Sequence, residues 1–234
     1  MIKMIDLLNE GTYDPGIFKA VFMSGGPGSG KSFAANSLFG MPESTPTVSS
    51  DGLKGVNSDS AFELIMAKHN IDLDMTKLSA KEYAKSQQIR KSAKSITSSR
   101  LKHYLNGKLG LLIDGTGKDY NKIAAQVKML KKQGYDCYMT FINTTLEVAL
   151  SRNESRPRRV PVELVNRSWK ECQANLKKYK TLFGDKNFIS IDNSVKADFS
   201  KSIKQTASKF VRRPIQNKIA QSWIDAELEL RNTK

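Results

Sequence analysis

The stretch SGGPGSGKS, Ser24 to Ser32, fits the pattern G-x-x-x-x-G-K-[ST] at Gly25, Gly30, Lys31 and Ser32. A loop of this kind turns its backbone N–H groups inward and, with the first turn of the helix behind it, encloses the phosphates of a nucleotide. Glycine permits the positive φ angles and the close backbone approach that such a cradle needs. Gly25, Gly26, Pro27, Gly28, Ser29, Gly30 and Phe33 are therefore candidate cofactor contacts. Lys31 would place its charge between the β- and γ-phosphates, and the Ser32 hydroxyl would ligate Mg²⁺. A glycine-rich turn that binds nothing is the plainer alternative, but the motif sits in the context it requires. Lys19-Ala20-Val21-Phe22-Met23 reads as a strand before it and Phe33-Ala34-Ala35-Asn36-Ser37-Leu38 as a helix after it.

A phosphate loop serves many reactions, so further residues must select one. In VNSDSAFE, Val56 to Glu63, Asp59 lies just past a second strand, where a carboxylate can take the proton of an attacking hydroxyl. The same residue would also serve as a helix N-cap. In LLIDGTG, Asp114 closes a third strand and is a candidate for holding Mg²⁺, through water or by orienting a basic partner, although turn chemistry alone could explain it. Thr116 in that turn is a candidate substrate contact. SRNESRPRRVP, Ser151 to Pro161, packs Arg152, Arg156, Arg158 and Arg159 into a link between two helical patterns. An arginine segment of this kind can close over ATP and neutralise charge as the phosphoryl group leaves, the alternative being a basic surface loop. Two of the four are expected to touch phosphate.

Elements that could position these groups follow from the alternation of apolar runs and helical patterns, the mark of an α/β fold with a mostly parallel sheet covered by helices. Strands are expected at Ala20 to Met23, Leu53 to Asn57, Leu109 to Asp114, Cys137 to Ile142 and Phe188 to Ile191. Thr45 to Gly55 reads as an excursion before the second strand. Asn121 to Gln133 forms a helix with Ile123, Val127 and Leu130 on one face and Gly134 as its stop. Val165, Trp169, Cys172, Leu176 and Tyr179 repeat in the same way and read as core. Ala80 to Asn106 is one long helix or two, with a basic face carrying Lys85, Arg90, Lys94 and Arg100 that could border an anionic substrate, Arg90 being the candidate contact, although a solvated face is the plainer reading of any one of them. After Pro214, Ile215, Ile219 and Trp223 recur every four residues in an appended amphipathic helix. The division expected is an extension over 1–18, a nucleotide-binding domain over 19–210 with a lid at about 151–161, and a helical appendage over 211–234.

The 234 residues carry 38 Lys plus Arg against 23 acidic residues, a net charge of +15 that favours polyanionic partners such as nucleic acid. Cys137 and Cys172 lie far apart, as do His69 and His103, which argues against a disulfide framework and a zinc site. No long apolar span occurs, and MIKMIDLLNEG is too short and too acidic for a secretory signal, so the expected setting is the cytoplasm, that of the host if the gene is phage-borne.

GGPGSGKS, VNSD, LLIDGTG and RNESRPRRVPVELV, in this order, resemble the P-loop kinases that include polynucleotide 5′-kinases and zeta-toxin-like kinases, particularly small phage-type members. The resemblance spans about Lys19 to Asn193. It implies that Lys31 and Ser32 match the ATP and metal residues, Asp59 the aspartate that activates the acceptor, Asp114 the acidic residue after the third strand, and Arg152, Arg156 and Arg159 the lid arginines, all three as ATP contacts and Arg152 and Arg156 as catalytic residues also. Polynucleotide kinases usually carry an arginine shortly after the catalytic aspartate, whereas Ser60, Ala61 and Phe62 follow Asp59 here. No haloacid-dehalogenase-type phosphatase motif accompanies the kinase region. Three readings result: an ATP- and Mg²⁺-dependent transfer to a polynucleotide 5′-hydroxyl or another nucleic-acid hydroxyl, a UDP-sugar kinase, and a regulatory ATP-binding protein without transfer chemistry.

Overall fold

The computed structural model describes residues 10–14, 16–43, 47–195 and 201–232. The elements, in chain order, are α1 (Glu10–Tyr13), β1 (Lys19–Ser24), α2 (Lys31–Phe39), β2 (Lys54–Val56), α3 (Asp59–Lys68), α4 (Ala80–Asn106), β3 (Leu111–Asp114), α5 (Tyr120–Lys132), β4 (Asp136–Asn143), α6 (Leu146–Ser155), α7 (Val162–Phe183), a 3₁₀ turn (Asp185–Asn187), β5 (Phe188–Asp192), α8 (Lys201–Arg212) and α9 (Lys218–Asn232). Among the described residues the five strands form one sheet in the order β2-β3-β1-β4-β5, every pair parallel. Because the chain leaves β1 toward β2 and β3 and then crosses back to β4 and β5, the connections diverge beside β1. Ligands of open parallel sheets gather at that point, beyond the carboxyl ends of the strands.

Burial on both faces explains why β1 reads as an uninterrupted apolar run. Ala20 and Phe22 enter one core layer with Leu111, Ile113, Val127, Leu130, Met139 and Tyr179, under α5 and α7. Val21 and Met23 enter the other with Ala34, Leu38, Leu112, Ile142, Phe210 and Val211, under α2 and α8. A third, smaller cluster joins α3 to α4 through Phe62, Met66, Ile71, Ile89 and Ala93. The 27-residue α4 is a single helix whose start is fixed by a capping box, Ser79 accepting from the Glu82 N–H while the Glu82 carboxylate accepts from the Ser79 N–H.

Several boundaries differ from the sequence reading for physical reasons. The third strand begins at Leu111, because Lys108 takes a left-handed turn and Gly110 passes so close to Gly16 that a Cβ there would lie 2.4 Å from its carbonyl. Ser151–Ser155 complete α6, started by the Thr145 side chain on the Val148 N–H, so the non-helical arginine link covers only 156–161. The Thr45 to Gly55 excursion turns back at Ser49 and Gly52; its Thr45 and Pro46 lie outside the described residues, as does most of MIKMIDLLNEG. Ile219 is 55% exposed, because α9 starts only at Lys218 and its inner face is set by Ala220, Trp223 and Ile224. The segment before α9 is moored by Asp136, which accepts from the N–H groups of Gln216 and Asn217 and pairs with the buried Lys19 at 3.2 Å. Burial drags the Lys19 ammonium below its ordinary value against the pull of Asp136. Among the described residues no helix is long and apolar enough to cross a membrane.

Candidate active site

The phosphate loop leaves β1 at Ser24 and enters α2 at Lys31. Gly28 and Gly30 have φ of +76° and +86°, and a Cβ at Gly28 would lie 2.3 Å from the Ala149 carbonyl oxygen. Backbone conformation and crowding therefore both demand glycine. The loop is braced from behind: Gly25 N–H donates to the Thr116 carbonyl at 3.2 Å, and Asn193 Nδ2 donates to the Ser29 carbonyl at 2.8 Å. Lys31 Nζ folds over the loop and donates to the carbonyls of Gly25 and Gly26 at 2.8 and 3.3 Å. Its ammonium is thus held against the cradle, where a phosphate oxygen would compete with neutral carbonyls for it.

Ser32 and Asp114 line one small hollow of about 40 Å³ together with Asn57 and Met41. Asp114 Oδ2 accepts from Asn57 Nδ2 at 2.8 Å, whereas Oδ1 is buried with no hydrogen-bond partner. Burial lifts the Asp114 carboxyl to about 6; Lys31 opposes that shift, the negative charge of Asp59 adds to it, and Arg158 opposes it. These effects also show that the four groups share one electrostatic neighbourhood. A hydroxyl and an unpartnered carboxylate oxygen suit Mg²⁺, which takes few protein ligands and completes its shell with phosphate oxygens and water. Among the described residues no cluster of three His, Cys, Asp or Glu side chains could hold an ion unaided.

Asp59 opens α3 directly beyond β2. Its N–H donates to Asn57 Oδ1 at 2.7 Å, so one asparagine side chain joins the Asp59 main chain to the Asp114 carboxylate. The Asp59 carboxylate does not cap the helix. Arg90 Nη1 donates to Oδ1 at 2.8 Å and Arg158 Nη1 approaches Oδ2 at 3.0 Å. Burial pushes the Asp59 carboxyl up, but Arg158 and Arg90 together outweigh it and hold it below its ordinary value. Phe62, fully buried, supports both guanidiniums, that of Arg90 lying 3.6 Å from its ring centroid and that of Arg158 at 5.2 Å. Arg158 also reaches Glu63 Oε1 at 3.3 Å. The local sequence after Asp59 lacks an arginine; α4 and the link after α6 supply two from far along the chain.

The remaining arginines divide. Arg152, on α6, points Nη1 at the Gly28 carbonyl at 3.5 Å and so stands at the phosphate loop. Arg156 donates to Asn153 Oδ1 at 3.1 Å, and burial and the charge of Arg158 lower its pKa. Arg159 is drawn toward Asp74 between α3 and α4, its Nε 3.9 Å from Oδ2, and its carbonyl accepts from the Met75 N–H. Thr116 uses its carbonyl to hold Gly25, and with Ser58 and Asp114 it lines a larger groove of about 540 Å³ between α4 and α5. Asn57, Phe62, Arg158 and Asn193 have no individual role that follows from the sequence. Only Arg158 carried a readable signal, as one of four clustered arginines.

The family described as an AAA domain matches residues 21–179. Among solved structures, the chain resembles the AvrRxo1-ORF1:AvrRxo1-ORF2 complex with sulphate ions (TM-score 0.57, 14% identity, 80% of this chain and 58% of that one). It also resembles a putative kinase from Chloroflexus aurantiacus j-10-fl (TM-score 0.53, 12% identity, 83% and 96%). A third likeness is to a structure from the PezAT chromosomal toxin-antitoxin system of Streptococcus pneumoniae (TM-score 0.50, 13% identity, 99% and 94%). The chain spans less than two thirds of the matched AvrRxo1 chain's length. At such identities the likeness is one of fold alone.

Proposed function

The chain belongs to the AAA domain family and has a kinase-like P-loop fold, and from that premise we propose that it moves the γ-phosphate of ATP onto a hydroxyl of an acceptor. The observation that carries this reading is the Asp59 carboxylate, held by Arg90 and Arg158, on a residue whose N–H is bonded to the same Asn57 side chain that donates to Asp114, the carboxylate on which the charges of both Asp59 and Lys31 act. A nucleotide-binding loop needs no such second centre, whereas phosphoryl transfer needs a group facing the acceptor.

In this mechanism the backbone of Gly25 to Gly30 and the Lys31 ammonium grip the β- and γ-phosphates. Arg152 adds charge at the loop. Ser32 and Asp114 would hold Mg²⁺, which supplies charge neutralisation on the phosphate oxygens. Asp59 orients the acceptor hydroxyl and takes its proton late. A carboxylate whose pKa is held down by two guanidiniums is a weak base, which suits a loose transition state in which the attacking oxygen keeps its proton until the bond to phosphorus is well formed. Positioning and charge supply most of the rate.

The acceptor we favour is a nucleic-acid hydroxyl, the 5′-hydroxyl of a polynucleotide or one carried on a modified base, because the net charge of +15 attracts polyanions. The test is label transfer from γ-labelled ATP with Mg²⁺ to a panel of 5′-hydroxyl oligonucleotides, nucleosides and UDP-sugars. Label on UDP-sugars alone would replace this acceptor with that of a zeta-toxin-like kinase. A second reading has its own observation: both Asp59 oxygens are engaged by arginine, as in a purely structural ion pair of an ATP-binding regulatory protein. Asp59→Asn separates the two. Phosphotransfer requires a loss of turnover of about a hundredfold or more with ATP affinity retained, and an unchanged rate removes Asp59 from the chemistry.

A further inference from the structure

The groove between α4 and α5 has no role in the mechanism above, yet it adjoins the Asp59 centre. Ser58, the residue before Asp59, lines it, as do Asp114 and Thr116. Its volume of about 540 Å³ falls in the range of small-molecule sites. Val56, Ile113 and Ile123 give it apolar surface. Three lysines from separate elements line it as well: Lys94 from α4, Lys118 from the turn after β3, and Lys122 from the first turn of α5. Among the described residues none of the three takes part in an ion pair. Of the groove's carboxylates, Asp119 caps α5 through the Lys122 N–H at 3.0 Å and Asp114 is bonded through one oxygen to Asn57. An apolar surface bordered by unpaired ammonium groups recognises a body of ring size that carries an anionic group.

We propose that this groove is the acceptor subsite and that the acceptor bears a phosphate of its own, which Lys94, Lys118 and Lys122 hold while its hydroxyl reaches Asp59. The inference rests on the phosphotransfer reading for the word acceptor, but the groove's preference for phosphate can be measured without turnover. A free phosphorylated molecule and a nucleic-acid backbone offer the same chemistry, and the experiment distinguishes them.

The three lysines are exposed, so a Lys94→Gln/Lys118→Gln/Lys122→Gln variant should fold as the parent does. Calorimetry with thymidine, thymidine 3′-monophosphate and a 5′-hydroxyl oligothymidylate is done with the phosphate loop saturated by a non-hydrolysable ATP analogue and Mg²⁺. A Lys31→Ala control checks that the probes are not read at the loop. At least one phosphate-bearing probe should bind about tenfold more tightly than thymidine, and the triple variant should lose about that factor, with ATP-analogue affinity and melting temperature unchanged. Tight binding of the monophosphate marks a small-molecule site. Preference for the oligomer with a steep salt dependence marks a nucleic-acid backbone. Equal affinity for thymidine and its phosphate, an unaffected triple variant, or no binding of either phosphate probe overturns the proposal. If the binding pattern holds but label moves to no acceptor, the transfer reading fails and the groove stands as a phosphate site. If label moves with an unchanged acceptor KM in the triple variant, the reverse is true.

Discussion

Asp114 is the residue where a functional requirement should oppose stability. One of its oxygens is bonded to Asn57, the other is buried without a partner, and burial lifts its carboxyl from the ordinary 3.8 to about 6. A carboxyl with a higher pKa in the folded than in the unfolded chain is best tolerated when protonated. The stability it permits is complete below pH 3.8 and is lost as the pH rises through 6. A shift of about two units at 1.36 kcal/mol each makes the full penalty about 3 kcal/mol at pH 8, falling to about 1 kcal/mol at pH 4.5. The amide of Asp114→Asn never ionises. The metal-free variant should therefore gain on the parent by about 2 kcal/mol between pH 4.5 and pH 8. Urea unfolding of both proteins in chelator across that range measures the gap, and any constant difference from the amide's own hydrogen bonding cancels. Label transfer should fall sharply in the same variant. A gap that stays flat with pH would show that Asp114 is not strained by ionisation, and the argument from its unpartnered oxygen would fail.

Asp136→Asn should cost about 3 kcal/mol at pH 7 by leaving Lys19 buried beside a neutral partner. Because the folded-state ammonium then sits further below 10.5, the deficit should shrink as the pH rises toward that value, which denaturant melts at pH 7 and pH 9.5 would show. Phe62→Leu removes the ring under Arg90 and Arg158 and should cost about 1–2 kcal/mol of stability while lowering kcat more than it alters ATP affinity; equal losses in both would mean that the ring serves only the core. Gly28→Ala meets the Ala149 carbonyl at 2.3 Å in a left-handed conformation, so ATP-analogue binding by calorimetry should weaken by tenfold or more, about 1.4 kcal/mol.

The five parallel strands, the phosphate loop and the main helices were legible because each is encoded locally. The strands are short apolar runs, the loop requires glycine at fixed offsets, and α5 and α7 carry a helical stripe with recognisable ends. Local encoding also explains the errors. A four-residue recurrence from Ile215 assumes a helix already in progress, and a lid-like link starting at Ser151 takes in residues that finish α6. The partners of Asp59 could not be read at all. Arg90 lies 31 residues away on α4, and its stacking on Phe62 depends on how α3 and α4 pack.

The sequence by itself determined that a phosphate cradle follows the first strand, that a carboxylate lies just past the second and that another closes the third, since strand, turn and helix propensities act over a few residues and glycine and lysine offsets are rigid in number. Only the tertiary structure decided that Asp59 is an arginine-held anion and not a helix cap, that Asn57 joins it to Asp114, that Arg158 and not Arg159 faces it, and that three lysines share a groove beside it. Those relations arise from packing of segments remote in the chain, where distance, burial and local dielectric are set by neighbours that no local pattern specifies.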